Sequence, residues 1–169
     1  MEIRDLYDEN KNLTGETIFK GEQLPEGRFG YVVLSFIQNS EGKFLIQKIT
    51  ERKNGLYASS TGGHPKSGED SIHGMLSELK EEIGLELKPE DLQLFCSGRS
   101  DEYRMFWDDY YIKMDIEDIS KLKFQEDEVE SVNWFTSSEV KELMNQGKFF
   151  KNDYEEFEVL LDWLKDKGE

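Results

Sequence analysis

The stretch from Gly62 to Leu85 constrains this chain more than any other part of the sequence. It reads GGHPKSGEDSIHGMLSELKEEIGL, in which glycines and a proline precede a run of residues with helical periodicity. At about 100° per residue, the apolar side chains of that run fall on one stripe of a helix, formed by Ile72, Met75, Leu76, Leu79 and Ile83. We therefore predict a glycine-rich turn followed by a short amphipathic helix that buries this stripe.

Three glutamates, Glu78, Glu81 and Glu82, occupy the sector beside the apolar stripe. Like charges spaced i, i+3 and i, i+4 repel by roughly 0.2–0.5 kcal/mol per pair, so a bound cation or plain solvation must offset the repulsion. Carboxylate oxygens are hard donors that suit Mg²⁺ or Mn²⁺ better than a soft metal. We therefore expect the three carboxylates to face outward together as a divalent-metal site for diphosphate chemistry.

The same stretch resembles the signature of the Nudix hydrolases. That signature is a Gly, five residues, a Glu, seven residues, then Arg-Glu-aliphatic-any-Glu-Glu-any-Gly-aliphatic. Ser77 stands where the family has arginine, and the other eight positions match: Gly63, Glu69, Glu78, Leu79, Glu81, Glu82, Gly84 and Leu85. The resemblance implies an α/β/α sandwich with a mixed central sheet and a loop–helix–loop motif.

The resemblance also implies a function. The expected activity is metal-dependent hydrolysis of a diphosphate linkage, with Mg²⁺ or Mn²⁺ as cofactor and a nucleoside diphosphate joined to another group as substrate. Glu78, Glu81 and Glu82 would be metal ligands or the base, and a backbone carbonyl near Gly62 or Gly63 would complete the metal site. The family's arginine usually orients a motif glutamate, so Ser77 leaves that task to another group, for which Lys66 and Arg99 are candidates.

Further carboxylates outside the motif are candidates for a catalytic role. Many Nudix enzymes recruit such a group, and the acidic loop containing Glu126 and Glu128 is the first choice, although a solvated acidic loop is equally compatible with this composition. Asp108 and Asp109 are weaker candidates, since adjacent strand residues face opposite sides of a sheet. Nearby aromatic residues could stack on a flat ligand, but core packing is favoured for them: Phe106, Trp107, Tyr110 and Tyr111.

Two alternative functions stay open. Gly62-Gly63-His64-Pro65 is similar to the Cys-Gly-His-Pro segment of isopentenyl diphosphate isomerase, a Nudix relative. The isomerase cysteine falls at Gly62 and one of its metal-binding histidines falls at Gly30, which disfavours that activity. His64 is interpreted as a turn residue and His73 as a surface or structural residue. The second alternative is a non-catalytic nucleotide-binding module, which Ser77 makes plausible.

Composition limits the class of protein and its partners. A chain of 169 residues, 36% hydrophobic and 12% aromatic, is long enough for one domain with its own core. The net charge of −16 argues against nucleic acid polymers and anionic membranes as partners. A phosphorylated substrate would need local cations, for which the candidates are Lys48, Arg52, Lys53, Lys66, Arg99 and Arg104. No apolar run approaches the roughly 18 residues of a membrane span, and the amino terminus lacks signal-peptide features.

These observations predict a cytoplasmic protein, with homodimerisation left open. The lone Cys96 is interpreted as a buried structural thiol. We expect one domain over residues 1–169, with a hairpin and connecting loop at 1–28, the motif at 62–85 and helices at 137–167. The predicted strands are Ile3–Tyr7, Leu13–Ile18, Tyr31–Ile37, Phe44–Ile49, Leu92–Ser97, Tyr103–Met114 and Val129–Phe135. Ser137 or Ser138 is expected to cap a helix ending near Gln146, and Tyr154–Lys165 is expected to form a final amphipathic helix.

Overall fold

A two-stranded hairpin packs against a mixed seven-stranded sheet in the computed structural model, which describes residues 1–168. The strands are β1 (Ile3–Tyr7), β2 (Leu13–Phe19), β3 (Gly30–Gln38), β4 (Phe44–Ile49), β5 (Tyr57–Ala58), β6 (Thr61–Gly63), β7 (Gln93–Ser100), β8 (Met105–Lys113) and β9 (Val129–Phe135). The helices are α1 (Ser71–Ile83), α2 (Ser137–Asn145) and α3 (Tyr154–Asp166). Short 3₁₀ turns cover Pro89–Asp91, Ile119–Lys121 and Lys151–Asp153.

The central strand β3 changes partners along its length. It runs parallel to β8 over the whole stretch from Gly30 opposite Met105 to Gln38 opposite Lys113. On its other edge it pairs with β4 only near their connecting turn, and farther along it pairs with β6 instead. The other pairings between the named strands are antiparallel, so the sheet is mixed. This exchange of partners brings the glycines of the motif into the middle of the sheet.

Helices cover both faces of the sheet, which makes an α/β/α sandwich. On one face, α1 packs into a core that includes Met75, Leu79 and Ile83. On the other face, α3 contributes Phe157 and Leu160 to a second core of aromatic and aliphatic side chains. The nearly continuous apolar run of β3 follows from this arrangement, because a strand covered on both faces has buried or half-buried side chains on each side. Within residues 1–168, no helix is long and apolar enough to cross a bilayer.

Several predicted boundaries were wrong. The strand predicted to end at Ser97 continues to Ser100 as β7, and its Gly98 lies against the Trp107 ring, where a Cβ would stand 2.7 Å from ring atom Cε2. Thr136, rather than Ser137 or Ser138, caps α2. Its hydroxyl accepts from the Glu139 amide at 3.1 Å while the Glu139 carboxylate accepts from the Thr136 amide at 2.9 Å. This reciprocal capping box places the N-cap of the helix one residue before the first of the two predicted positions.

The N-terminal hairpin is attached to the loop that precedes α1. The Ser67 amide donates to the Ile3 carbonyl at 2.7 Å. The Asp5 carboxylate accepts from the Ser67 hydroxyl at 2.6 Å and from the Gly68 amide at 2.9 Å. Tyr7 and Phe29 form a further isolated bridge between the hairpin and the body of the sheet. The loop that precedes α1 is therefore held by the N-terminal hairpin as well as by its connection to α1.

Candidate active site

The motif helix α1 buries two of its three glutamates. Asp70 caps its start by accepting from the His73 amide at 2.8 Å, and Gly84 ends it in the left-handed conformation at φ 73°. Glu78 is 8% exposed and Glu82 is 7% exposed, so the expectation that the three carboxylates face outward together was wrong for these two. The predicted apolar stripe is also shifted, since Ile72 lies at the surface, 37% exposed. The buried face turns towards β6, so it includes both carboxylates.

Strand β6 provides the surface on which Glu78 lies. Gly62 and Gly63 belong to this strand and not to a turn, and Gly63 pairs with Val33 of β3. A Cβ at residue 63 would stand 2.5 and 2.6 Å from the two carboxyl oxygens of Glu78. Gly63 is therefore required by the close approach of Glu78. A left-handed backbone is not the reason, since Gly63 is absent from the positive-φ glycines.

Glu82 is held by the same strand. Its Oε1 accepts a hydrogen bond from the Thr61 hydroxyl at 2.7 Å and a second from the Gly62 amide at 2.9 Å. Both donors converge on one oxygen, which fixes the rotamer of the side chain. Glu82 lies one helical turn from Glu78, so the two buried carboxylates face the same strand side by side.

Burial perturbs both carboxyl groups strongly. It raises the pKa of Glu78 to about 8, and the negative charge of Glu82 adds to that increase. Burial also raises the pKa of Glu82 to about 7, although the hydrogen bonds from Thr61 and Gly62 act in the opposite direction. A divalent cation between the two groups would favour their ionised forms, because an opposite charge nearby offsets the cost of desolvation. The buried position of the two carboxyl groups is therefore typical of a cation site and not of solvated surface glutamates.

Lys66 and Ser77 orient the remaining glutamates of the motif. Glu81 is exposed and pairs with the Lys66 ammonium at 2.8 Å, and Lys66 also lies 3.9 Å from Glu78. The Ser77 hydroxyl donates to Glu69, whose other oxygen accepts from the Lys66 amide at 2.7 Å. Lys66 thus contacts the glutamates that the absent arginine would be expected to orient. Arg99, the other candidate for this role, instead binds the Glu9 carbonyl and Asp101.

The acidic loop before β9 contributes one carboxylate to the site and not two. A cleft with about 740 Å³ of open space is lined by Glu82, Gly63, Glu128 and Lys53, among others. Glu128 forms an ion pair with Lys53, and its charge contributes to the raised pKa of Glu82. Glu126 is exposed and is not among the residues lining this cleft. The structure therefore brings Glu128, but not Glu126, towards the motif.

Most of the other predicted cations lie elsewhere. Lys48 pairs with Glu130 at 2.9 Å and Glu51 at 3.0 Å on the outer surface. Arg104 donates to the Leu24 carbonyl at 3.1 Å and so secures the connecting loop. Lys53 is the candidate that lines the cleft beside Glu82. Within the described chain, positive charge near the buried carboxylates therefore comes from Lys53 and Lys66.

Asp108 and Asp109 point to opposite faces of the sheet, as expected from their adjacency. Asp108 accepts hydrogen bonds from the Tyr31 hydroxyl and the Ser97 hydroxyl, both at 2.6 Å. Asp109 is 1% exposed and lies on the face covered by α3. Burial raises its pKa to about 8, with the charge of Glu156 as the next cause. The neighbouring aromatic residues differ in burial. Most of them are buried in the core, namely Phe106, Tyr110 and Tyr111, whereas Trp107 lines a cleft.

Sequence reasoning missed the carboxylates of the last helix. Glu156 lines the same cleft as Asp109, and burial raises its pKa to about 7. Asp153 accepts from the Ser59 amide at 3.0 Å and is buried, which raises its pKa to about 6. A signal for these residues was present in the sequence. Glu156 precedes Leu160 by four residues, which places this carboxylate on the apolar face of the predicted helix, and Asp153 stands immediately before that helix.

Comparison with known proteins identifies the family. The model of the NUDIX domain matches residues 28–155. The chain belongs to the Nudix hydrolase family. It is 35% identical over 153 residues to an uncharacterized Nudix hydrolase of Listeria innocua, lin0387, covering 88% of each chain. The solved structure of DR0079 from Deinococcus radiodurans has the same fold, with a TM-score of 0.72 at 22% identity over 90% of this chain and 94% of the other.

A relative with a different activity matches a shorter part of this Nudix chain. Isopentenyl-diphosphate Delta-isomerase of Pectobacterium atrosepticum is 32% identical over 83 residues, which is 47% of this chain and 46% of the isomerase. The positions expected to carry the isomerase chemistry are glycines here. Gly62 faces the backbone of Val33, and Gly30 lies against Met105. Burial lowers the pKa of His64 to about 4, so this half-buried imidazole is neutral at physiological pH.

The residues of this Nudix site fit a divalent ion that shares its coordination shell with water and substrate. Within residues 1–168, no three histidine, cysteine, aspartate or glutamate side chains converge as a ready-made metal cage. Mg²⁺ is commonly held by one or two carboxylates, with water and substrate phosphates filling the other positions. Glu78 and Glu82 supply two buried carboxylates of that kind. The donor set therefore suits a hard cation that binds together with a phosphorylated substrate.

Proposed function

We propose that this protein is a Mg²⁺- or Mn²⁺-dependent hydrolase of a diphosphate linkage, acting on a nucleoside diphosphate joined to another group. One observation carries the proposal: Glu78 and Glu82 are both buried against β6, and Glu82 lines an open cleft. Ionised carboxylates in such a place cost the metal-free protein free energy, because burial disfavours their charged forms more than Lys66 and the hydrogen bonds from Thr61 and Gly62 favour them. Membership of the Nudix hydrolase family supports the same activity.

The chain's own residues provide the positions that the reaction needs. Glu78 and Glu82 would hold the cation, with Gly63 leaving room for the Glu78 side chain. Glu81 stands at the edge of the pair, where Lys66 fixes it. When bound, the divalent ion supplies positive charge that neutralises the diphosphate oxygens and the leaving group. Lys53 places a second positive charge beside the cleft for a phosphate oxygen.

A carboxylate must also take the proton of the attacking water. Glu128 is the candidate that the cleft favours, because it faces the same space as Glu82 and forms an ion pair with Lys53. Glu126 is a weaker candidate because of its exposed position outside the cleft. The water would attack one phosphorus of the diphosphate from the cleft and pass a proton to Glu128, while the bond from that phosphorus to the bridging oxygen breaks and the other phosphate leaves with the bridging oxygen.

The test is a substrate screen with matched variants. Nucleoside diphosphate sugars, dinucleoside polyphosphates, nucleoside di- and triphosphates and prenyl diphosphates are incubated with Mg²⁺, Mn²⁺ or EDTA, and release of phosphate or nucleoside monophosphate is measured. Glu82→Gln is the inactive variant, and Glu86→Gln is its control, since the Glu86 side chain is 75% exposed. Turnover in EDTA equal to that in metal, or full activity of Glu82→Gln, would refute the assignment.

The isomerase alternative is tested in the same screen. Isopentenyl diphosphate is supplied with either metal, and formation of an allylic isomer is monitored. We expect none, because Gly62 offers no thiol and Gly30 offers no imidazole. Nucleotide binding without turnover of any substrate would favour a non-catalytic module. The cytoplasmic location, the single-domain organisation and any homodimer stay predictions.

A further inference from the structure

The Lys66 side chain provides positive charge where the family signature has its arginine. Its ammonium lies 2.8 Å from Glu81 and 3.9 Å from Glu78, and no other cation of the described residues forms an ion pair with either carboxylate. The signature arginine would stand on α1 itself, at Ser77, whereas Lys66 stands on the loop before that helix. A lysine side chain is flexible, so the loop must be fixed if the ammonium is to stay in place.

One side of this loop is closed by the motif itself. The Lys66 amide donates to the Glu69 carboxylate at 2.7 Å, and the Glu69 amide donates to the Lys66 carbonyl at 2.9 Å. The Ser77 hydroxyl donates to the other carboxylate oxygen of Glu69. Gly68 completes the turn in the left-handed conformation, at φ 88°, which glycine adopts without strain. All of these contacts lie within the motif.

The other side of the loop is held by Asp5, which lies outside the motif. Its Oδ1 accepts from the Ser67 hydroxyl at 2.6 Å, and its Oδ2 accepts from the Gly68 amide at 2.9 Å. Both oxygens therefore bind the chain immediately after Lys66, and hydrogen bonds to a charged group are the stronger kind. Asp5 belongs to β1 and precedes residues 28–155, which match the NUDIX domain. The hairpin thus holds the motif loop through a side chain that the family signature does not contain.

We propose that Asp5 is a positioning residue of the active site. It holds the loop so that the Lys66 ammonium stays against Glu81. This proposal rests on the proposed function, because it gives Asp5 a part in the same hydrolysis. Asp5 acts only through Lys66, so the loss of its carboxylate should affect the reaction only while Lys66 is present.

The first measurement follows the reactivity of the Lys66 amine and needs no substrate. The metal-free protein in EDTA receives a short pulse of acetic anhydride at fixed pH, and acetylation of each lysine is quantified by mass spectrometry. Asp5→Ala removes both acceptor oxygens, so Lys66 should react about threefold or more faster than in the unmodified protein. Lys80 is the internal reference, because it pairs with Glu86 at the exposed surface. Unchanged acetylation of Lys66 in the folded variant would overturn the proposal.

Asp8→Ala is the matched control. Asp8 lies in the turn of the same hairpin, and its Oδ1 accepts from the Asn10 and Asn12 amides at 2.8 and 2.9 Å. Its loss removes hydrogen bonds from the hairpin without touching the loop before α1. Acetylation of Lys66 should therefore stay unchanged in Asp8→Ala. An increase as large as that in Asp5→Ala would show that any weakening of the hairpin releases Lys66, and the specific role of Asp5 would be refuted.

Two further variants test the same contacts from both partners. Ser67→Ala removes one of the two hydrogen bonds from the loop side, so it should increase acetylation of Lys66 by less than Asp5→Ala does. Circular dichroism checks folding, and Ser67→Ala retains the test if Asp5→Ala does not fold. Asp5→Asn can still accept from the Gly68 amide and donate to the Ser67 hydroxyl, so it should restore most of the slow reaction of Lys66.

The second measurement is a double-mutant cycle in kcat/KM, on the best substrate of the screen with Mn²⁺. Asp5→Ala is expected to lower kcat/KM about tenfold, the low end of the range for groups that orient a metal ligand. In the Lys66→Met background it should cause no further loss, because the residue through which it acts is gone. A general destabilisation of the fold would lower kcat/KM by the same factor in both backgrounds, and that result would overturn the proposal.

Together the two measurements separate this proposal from the proposed function. If no substrate is hydrolysed but Lys66 reacts faster in Asp5→Ala and not in Asp8→Ala, the hydrolase assignment is wrong and the positioning of Lys66 stands. If metal-dependent hydrolysis is found but Asp5→Ala changes neither acetylation nor kcat/KM, the role of Asp5 is wrong and the hydrolase assignment stands. Faster acetylation with unchanged kcat/KM would show that Asp5 orders the loop without serving the reaction, which also overturns the proposal.

Discussion

Gly63→Ala is expected to impair the site by displacing Glu78. The added Cβ would stand 2.5 and 2.6 Å from the two carboxyl oxygens of Glu78, well inside van der Waals contact. The residue lies in a paired strand, so the backbone cannot retreat without breaking its ladder with β3. The atoms that the Cβ meets are the end of the Glu78 side chain, which can turn aside, so the cost falls at the low end of the roughly 1–3 kcal/mol of overpacking and the main effect is the displaced carboxyl group. In a chain of this size, each kcal/mol lowers Tm by about 2–4 °C.

The neighbouring glycine provides a matched control. A Cβ at Gly62 would meet its nearest atom, the Val33 carbonyl oxygen, at 3.3 Å, which a small shift can relieve. Gly62→Ala should therefore retain more activity and stability than Gly63→Ala. Thermal unfolding in EDTA and steady-state hydrolysis with Mn²⁺ are measured for both variants.

A double-mutant cycle then tests the cause. Glu78→Ala removes the carboxyl group that the new methyl would strike, so Gly63→Ala should cost little additional stability in that background. Activity is not expected to return, because the proposed metal ligand Glu78 is missing. The reasoning fails if Gly63→Ala is as stable and active as the unmodified protein. It fails equally if the stability penalty is the same with and without the Glu78 side chain.

Three further outcomes are expected. Burial raises the pKa of Glu82 from its ordinary 4.5 to about 7, so the metal-free fold loses stability as pH rises through that interval. Glu82→Gln should remove this loss while abolishing most activity. The free energy of unfolding by urea is measured in EDTA at pH 5 and pH 8 for the unmodified protein and for Glu82→Gln. The same pH dependence in both proteins would contradict this expectation. Mn²⁺ affinity should weaken from pH 8 to pH 6, by up to about tenfold per unit for each proton displaced from Glu78 or Glu82, and a pH-independent titration would contradict this. Lys66→Met should lower kcat/KM because it releases Glu81. Ser77→Arg should bring no gain in kcat/KM because Lys66 already pairs with Glu81. A higher kcat/KM for Ser77→Arg would show that the pairing of Lys66 with Glu81 is incomplete.

The motif helix and most strands could be predicted from the sequence because their signals are local. The apolar period of α1, the cap at its start and Gly84 at its end all act within a few residues. The alternation of turns and apolar runs likewise located β3, β4 and β9. Local signals did not place Gly62 and Gly63 in a strand, since that depends on a pairing with Val33 and Leu34 far along the chain.

The burial of the carboxylates was also beyond local reasoning. A helical projection shows which residues share a face, but it does not show how far the neighbouring strand covers that face. Here β6 covers Glu78 and Glu82 as well as the apolar stripe. The approach of Glu156 to Asp109 depends on the packing of α3 on β8, which the two segments do not reveal separately.

The attachment of the hairpin to the motif loop has a practical consequence for anyone shortening this protein. The NUDIX-domain match begins at residue 28, so a version trimmed to that boundary would lose β1 and β2. It would lose with them the Ile3 carbonyl and the Asp5 carboxylate, which hold Ser67 and Gly68 immediately after Lys66. A trimmed protein of this kind would keep every motif residue and still have an unanchored motif loop, so weak activity from it would say nothing about the chemistry of the intact enzyme.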